Sequence, residues 1–137
     1  MSSHSDPLVV FSALRAISNF LSGSDSQIEA LIALDVVTRL AHVLKRHKER
    51  RIVKEACMAL SNIAAGSQSD ILRIIEADLV EDLTHIARHA PLDVRNEAAW
   101  ALGNAIIGSG HKLINTFLTP ECMKVLKLLN QTPVHDK

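Results

Sequence analysis

Three asparagines stand in one local frame along this chain: Asn19 in ALRAISNFLSG, Asn62 in ACMALSNIAAG and Asn104 in AAWALGNAIIG. A carboxamide carries both a hydrogen-bond donor and an acceptor. A regular row of them on a helical face can therefore pair with both groups of another chain's peptide bonds. Residues three, four and seven apart share one face of a helix. Each asparagine thus brings two neighbours, giving the sets Ser12/Arg15/Asn19, Glu55/Met58/Asn62 and Glu97/Trp100/Asn104. Asparagine holds an extended backbone with little regard for its side chains. Trp100 offers a flat face along which a Lys or Arg stem can pack, with a cation–π contribution of about 0.5–2 kcal/mol depending on desolvation. Glu55 and Glu97 supply charge for an ammonium or guanidinium head. Together these residue types describe a groove for an extended, Lys/Arg-rich peptide.

The frame itself predicts what must position these residues. The asparagines lie 43 and 42 residues apart, and each is followed four residues later by glycine: Gly23, Gly66 and Gly108. Self-similarity at a fixed period near 42 signals stacked repeats. The apolar periodicity predicts three helices per round. Long helices run over 7–22, 50–65 and 91–107, short ones over 26–33, 69–77 and 111–118, and medium ones over 35–46, 78–89 and 120–129. Asp6 caps the first, Pro7 fits its first turn, and Gly23 serves as its left-handed terminator. Gly108-Ser109-Gly110 reads as a helix stop, and Thr119 as the cap of the last helix. Ala59, Leu60, Ile63, Ala101, Leu102 and Ile106 should face the core, leaving the asparagine stripes outward.

Two or three helices per 40–47 residues belong to the HEAT/armadillo class, and three per round favour armadillo. The expectation is an all-α, armadillo-type right-handed superhelical solenoid of about three repeats of ~42 residues. Residues 7–130 form the solenoid: 7–23 as a third helix only, then 24–66, 67–108 and a partial 109–130. Residues 1–6 and 131–137 are expected to be disordered. Opening on a long helix and closing on a medium one should leave apolar faces at both ends: Leu8, Val9 and Phe11, then Val125, Leu126 and Leu129. Uncapped ends point to a segment of a longer solenoid or to end-to-end self-association.

Composition agrees. Hydrophobic residues make up 47% with only 3 Phe, 1 Trp and no Tyr, an aliphatic core suited to close helix packing rather than strands. Fifteen basic and fifteen acidic residues balance, so no general nucleic-acid binder is indicated. No apolar run spans a membrane, and the N-terminus lacks secretory character. Cys57 and Cys122 sit in apolar helical patterns and read as buried, reduced thiols of a cytosolic or nuclear protein.

KEACMALSNIAAGSQSDI (54–71) and NEAAWALGNAIIGSG (96–110) resemble the repeat signature of importin-α (karyopherin-α), the family that binds nuclear localisation signals through a Trp-and-Asn array on third helices. The resemblance extends weakly over 8–130. Arg15 stands where the family carries Trp, which resembles the central repeats where the array is interrupted and the minor cargo site begins. The resemblance implies that Asn19, Asn62 and Asn104 hold cargo backbone and that Trp100 stacks on a basic side chain. It implies that Glu55 and Glu97 pair with cargo charges, and that the turn 21–25, with Gly23 and Asp25, lines a Lys or Arg pocket. Met58 replaces the second Trp and weakens or alters that pocket, since a thioether has no ring face. The implied localisation is cytoplasm and nucleus. The family's basic N-terminal segment is not in this sequence, so an importin-β-type carrier is expected only if a longer parent chain supplies it.

Other constellations are weaker. His85 and His89 share a helical face but lack further ligands at a recognised spacing, so no metal or other cofactor is expected. The run 45–51, Lys-Arg-His-Lys-Glu-Arg-Arg, falls at a helix junction and reads as a solvated turn. No GxSxG, P-loop, HExxH or oriented Cys–His pair occurs, so no enzyme is expected. The alternative is an armadillo scaffold binding other protein partners without import function. That role suits a basic stripe, whereas this one carries Glu55 and Glu97 against Arg15.

Overall fold

In the computed structural model, residues 6–21 and 35–131 are described. Their elements are α1 (Pro7–Leu21), α2 (Val36–Arg46), α3 (Arg50–Ala64), α4 (Gln68–Glu76), α5 (Leu79–His89), α6 (Leu92–Leu113), a 3₁₀ helix (Ile114–Phe117) and α7 (Pro120–Gln131). No strand occurs among the described residues. The short helix expected over 26–33 lies outside them, as do Gly23, Asp25, residues 1–5 and the tail 132–137.

Each boundary has a local chemical cause. Asp6 Oδ1 accepts the Leu8 amide at 2.9 Å, capping α1 ahead of Pro7. Ser67 closes a capping box with Asp70, whose carboxylate accepts the Ser67 amide while the Ser67 hydroxyl accepts the Asp70 amide. Thr119 Oγ1 accepts the Cys122 amide at 3.2 Å, the cap expected for α7. The turns before α2 and α5 repeat one device: Asp35 and Asp78 take left-handed backbone, with φ of 64° and 61°. Short polar side chains tolerate this conformation best after glycine.

The glycines act differently from the sequence expectation. The third long helix does not stop at Ile107 but runs through Gly108 and Ser109 before breaking at Gly110, the one described glycine with positive φ (66°). Gly108 lies at a close approach: a Cβ there would lie 2.7 Å from Ile71 Cδ1, so the Ile71 side chain of α4 would have to shift. Ser109 is fully buried and returns its hydroxyl to the Ile106 carbonyl at 2.8 Å. Beyond Gly110 the chain forms less than the predicted short helix. One turn reaches Leu113, and tight 3₁₀ geometry then sinks Phe117 completely.

The long helices pack side by side, α3 against both α1 and α6, with α2 laid on α3 and α5 on α6 behind them. Between the layers lie Leu14, Leu40, Ile52, Leu60, Ile63, Leu83 and Leu102, each under 3% exposed. Fully burying such a side chain is worth about 1.5–3 kcal/mol. Ala56, Ala59, Ala98 and Ala101 are the small residues that let the long helices approach. Ala59, Leu60, Ile63, Ala101 and Leu102 are buried as expected, and Ile106 packs partly buried on the core. Leu8 and Val9 are exposed, but Val125 is buried and Phe11 and Leu126 are half-buried, so among the described side chains the apolar end faces are smaller than the sequence suggests; the side chain of Leu129 lies outside them. Val125 sits in the core because α7 folds back onto α5 and α6.

Candidate functional site

Side-by-side packing of α1, α3 and α6 brings the three polar sets onto one surface. Ser12, Arg15 and Asn19 are exposed on α1; Glu55, Met58 and Asn62 are half-buried on α3; on α6, Glu97 and Asn104 are half-buried and Trp100 exposed. Trp100 keeps 52% of its surface in solvent, so its ring is presented rather than packed away. Ile107, one turn beyond Asn104 on the same face, is 85% exposed and extends the stripe.

The asparagines are not equivalent. Asn104 donates its amide to both the Ser61 carbonyl (3.2 Å) and the Ser61 hydroxyl (3.1 Å) of the neighbouring helix. Its donor side is therefore engaged within the protein, and the carboxamide oxygen is what remains for an outside N–H. Asn62 makes no such bond among the described residues, although Ser18 occupies the equivalent place on α1. The buried Ser18 hydroxyl has no hydrogen-bond partner there. Glu97 lies close enough to Cys57 for its carboxylate to disfavour the thiolate. Burial contributes more, and together they push that thiol up to about 12. Both cysteines are buried and free, as expected.

One charged residue of this surface has no place in the sequence pattern of the stripe. Arg51 is four residues before Glu55 and shares its face, and its guanidinium carbon sits 4.5 Å from the centre of the Phe11 ring. Arg15 approaches the same ring at 5.9 Å. The i, i+4 spacing of Phe11 and Arg15 holds a signal for this ring contact, although its apolar character points Phe11 to an end face. The stripe thus carries Arg15 and Arg51, not Arg15 alone, against Glu55 and Glu97.

The basic run 45–51 is exposed apart from His47, as a solvated turn should be, and two of its residues also pair across repeats. Lys45 pairs with Asp82 at 2.9 Å, and Arg50 and Lys54 both reach Asp93 at 2.8 and 3.6 Å. The Arg50 guanidinium beside Asp93 holds its carboxyl below the usual carboxylate range, with Lys54 assisting. These pairs join successive repeats, since each partner sits on the next round. His85 and His89 are exposed with ring centres 4.7 Å apart, beside a cleft of about 500 Å³ between α5 and the start of α7. None of the stripe residues lines that cleft.

Residues 24–65 match the Armadillo/beta-catenin-like repeat model, and residues 50–105 match the HEAT-like repeat model. Among solved structures, a designed armadillo repeat protein superposes with a TM-score of 0.87 at 27% identity, over 95% of this chain and 54% of the designed one. The chain has the fold of an armadillo-type solenoid. A second designed armadillo repeat protein, in complex with the peptide (KR)4, matches at 30% identity with a TM-score of 0.68, over 88% of this chain and 56% of its own. A computationally designed armadillo repeat protein for modular peptide recognition shares the fold at 24% identity and a TM-score of 0.70, over 94% of this chain and 60% of its own. The chain therefore spans between half and two thirds of the length of these proteins. No curated protein matches it at a comparable level.

Proposed function

We propose that this armadillo chain binds extended peptides bearing Lys or Arg along the α1/α3/α6 face, as an adaptor for nuclear localisation signals or as a segment of one. The observation that carries the reading is the pairing on α6 of a half-exposed Trp100 with an Asn104 whose amide is fixed by Ser61. A fixed carboxamide presents its oxygen to a peptide N–H without the entropy loss of ordering a free side chain. Four residues away, the indole gives an alkyl stem a surface, and Glu97 places a carboxylate on the same face. The (KR)4 peptide bound by a designed relative supports the same ligand chemistry. Import would add a carrier of the importin-β type, recruited by a basic segment outside this sequence, and residence in both cytoplasm and nucleus.

A second reading, an armadillo scaffold for other protein partners without import function, draws on Arg15 and Arg51 at the α1 end, where a wholly basic ligand meets like charge.

Trp100 is the only tryptophan, so its fluorescence reports the site directly. Titration with an alternating Lys/Arg octapeptide at low salt should change it saturably, and the response should fade as salt shortens the Debye length from about 30 Å at 0.01 M to about 8 Å at 0.15 M. An unresponsive Trp100 at low salt would refute the groove and favour the scaffold.

A further inference from the structure

The stripe is acidic toward α6 and basic toward α1, with both signs on α3 between them. At its α6 end stand Trp100 and Glu97, with Glu55 on the middle helix. Toward α1 two arginines converge on the Phe11 ring, Arg15 from α1 itself at 5.9 Å and Arg51, reaching across from α3 one turn before Glu55, at 4.5 Å from its centre. Both are exposed, and neither guanidinium has a carboxylate partner among the described residues. The basic residues around them are differently placed: Lys45, Arg50 and Lys54 are committed to Asp82 and Asp93. A guanidinium laid on a ring keeps its rim of N–H donors free and loses part of its conformational freedom in advance. That rim matches a carboxylate in two parallel hydrogen bonds.

We infer that the peptide this groove accepts is not uniformly basic: it carries a Lys or Arg at the Trp100 end and an Asp or Glu at the Arg15/Arg51 end. The inference rests on the groove reading above. The packing sets the spacing. Neighbouring helices lie about 8–10 Å apart, and α3 separates α1 from α6, so Arg15 on α1 and Trp100 on α6 are ~16–20 Å apart, twice that helix spacing, with Arg51 leaning toward α1 from α3. An extended chain advances about 3.3 Å per residue, which places the acidic residue about five or six positions from the basic one. A run of Lys and Arg long enough to reach α1 would instead set its own charge against Arg15 and Arg51.

The test uses the whole chain and Trp100 fluorescence at low salt. The probes are end-blocked peptides with one Lys-Arg pair on a Gly/Ser background and a Glu about five or six residues to either side. Each is matched by a control with Gln in place of Glu. One of the two orders should bind about three- to tenfold more tightly than its Gln control, as expected of one or two exposed ion pairs. In Arg15→Gln/Arg51→Gln the ratio of Glu-peptide to Gln-peptide affinity, measured within that variant, should fall to about one. Should that double variant not fold, Arg15→Gln alone should reduce the advantage. Equal affinity of the Glu and Gln peptides in both orders, or an advantage that survives loss of the arginines, would overturn the inference with the groove intact. If even the Gln controls leave Trp100 unchanged, the groove reading falls and the inference with it.

Discussion

The bond pair from Asn104 to Ser61 allows the asparagine row to be tested as structure before any ligand is added. Asn104→Ala removes two hydrogen bonds of 3.1 and 3.2 Å across the α3/α6 contact. At about 0.5–1.5 kcal/mol each, and with the freed Ser61 groups partly able to take up water, the loss should be about 1–2 kcal/mol. Ser61→Ala removes only the hydroxyl and spares the carbonyl bond, so about 0.5–1 kcal/mol is expected. Because both act through one contact, the double variant should be less destabilised than the sum of the two by about 0.5–1 kcal/mol. Asn62→Ala is the internal control. Its carboxamide makes no such bond among the described residues, and surface changes of that kind fall within about 0.5 kcal/mol. Urea denaturation followed by far-UV circular dichroism gives all four values, provided the slope with denaturant stays constant across the set. If Asn104→Ala costs no more than Asn62→Ala, or if the two α3/α6 changes add fully, the carboxamide is not fixed by Ser61. The groove would then have no pre-set acceptor.

Other consequences are quicker to check. The Cys57 thiol, pushed up to about 12 when folded against its ordinary 9.0, should favour the native state below pH ~9. Between about 9 and 12 the unfolded thiol ionises first, so that contribution is lost at up to about 1.4 kcal/mol per pH unit. Denaturation midpoints should fall over that range in the wild type and less in Cys57→Ala. The Asp93 carboxyl is shifted down by Arg50, so its contribution is present above pH ~4 and lost as pH falls further; acid titration of Asp93→Asn should show a weaker decline. Ser18→Ala, which removes a buried hydroxyl without a partner and adds a better helix former, should raise stability by about 0.5–1.5 kcal/mol in urea melts. Gly110→Ala should lower it by about 1–2 kcal/mol, since a side chain at φ 66° is strained and would meet Gln68.

The period, the three-helix round and the outward stripe were legible because they depend on spacing alone. Leu60 and Ile63 recur at helical intervals opposite Asn62, so which face was buried could be read directly. The Gly108-Ser109-Gly110 stop is legible, but which glycine breaks the helix is not, because Gly108 and Gly110 are identical in sequence but not in duty. One yields to Ile71 across the repeat, the other turns the chain, and only the long-range approach of α4 separates them. Val125 was placed at an open end because the return of α7 onto α5 and α6 is a tertiary event. The same holds for Arg51, whose partner Phe11 lies a full repeat away on another helix. The Ser61–Asn104 bond spans 43 residues and has no local signal. Sequence spacing thus located the site's surface, while the contacts that make its three positions unequal arise between repeats.

Everything proposed for this chain depends on an extended peptide lying along the long-helix face. Amide and side-chain NMR of the labelled chain, titrated with the Lys/Arg octapeptide, locates that peptide residue by residue. The Trp100 indole N–H, the Asn62 and Asn104 carboxamides and the Met58 methyl should shift together and saturably. Shifts confined to His85, His89 and Glu121 around the α5/α7 cleft, with Trp100 and Asn104 unmoved, would place the ligand elsewhere and refute the groove.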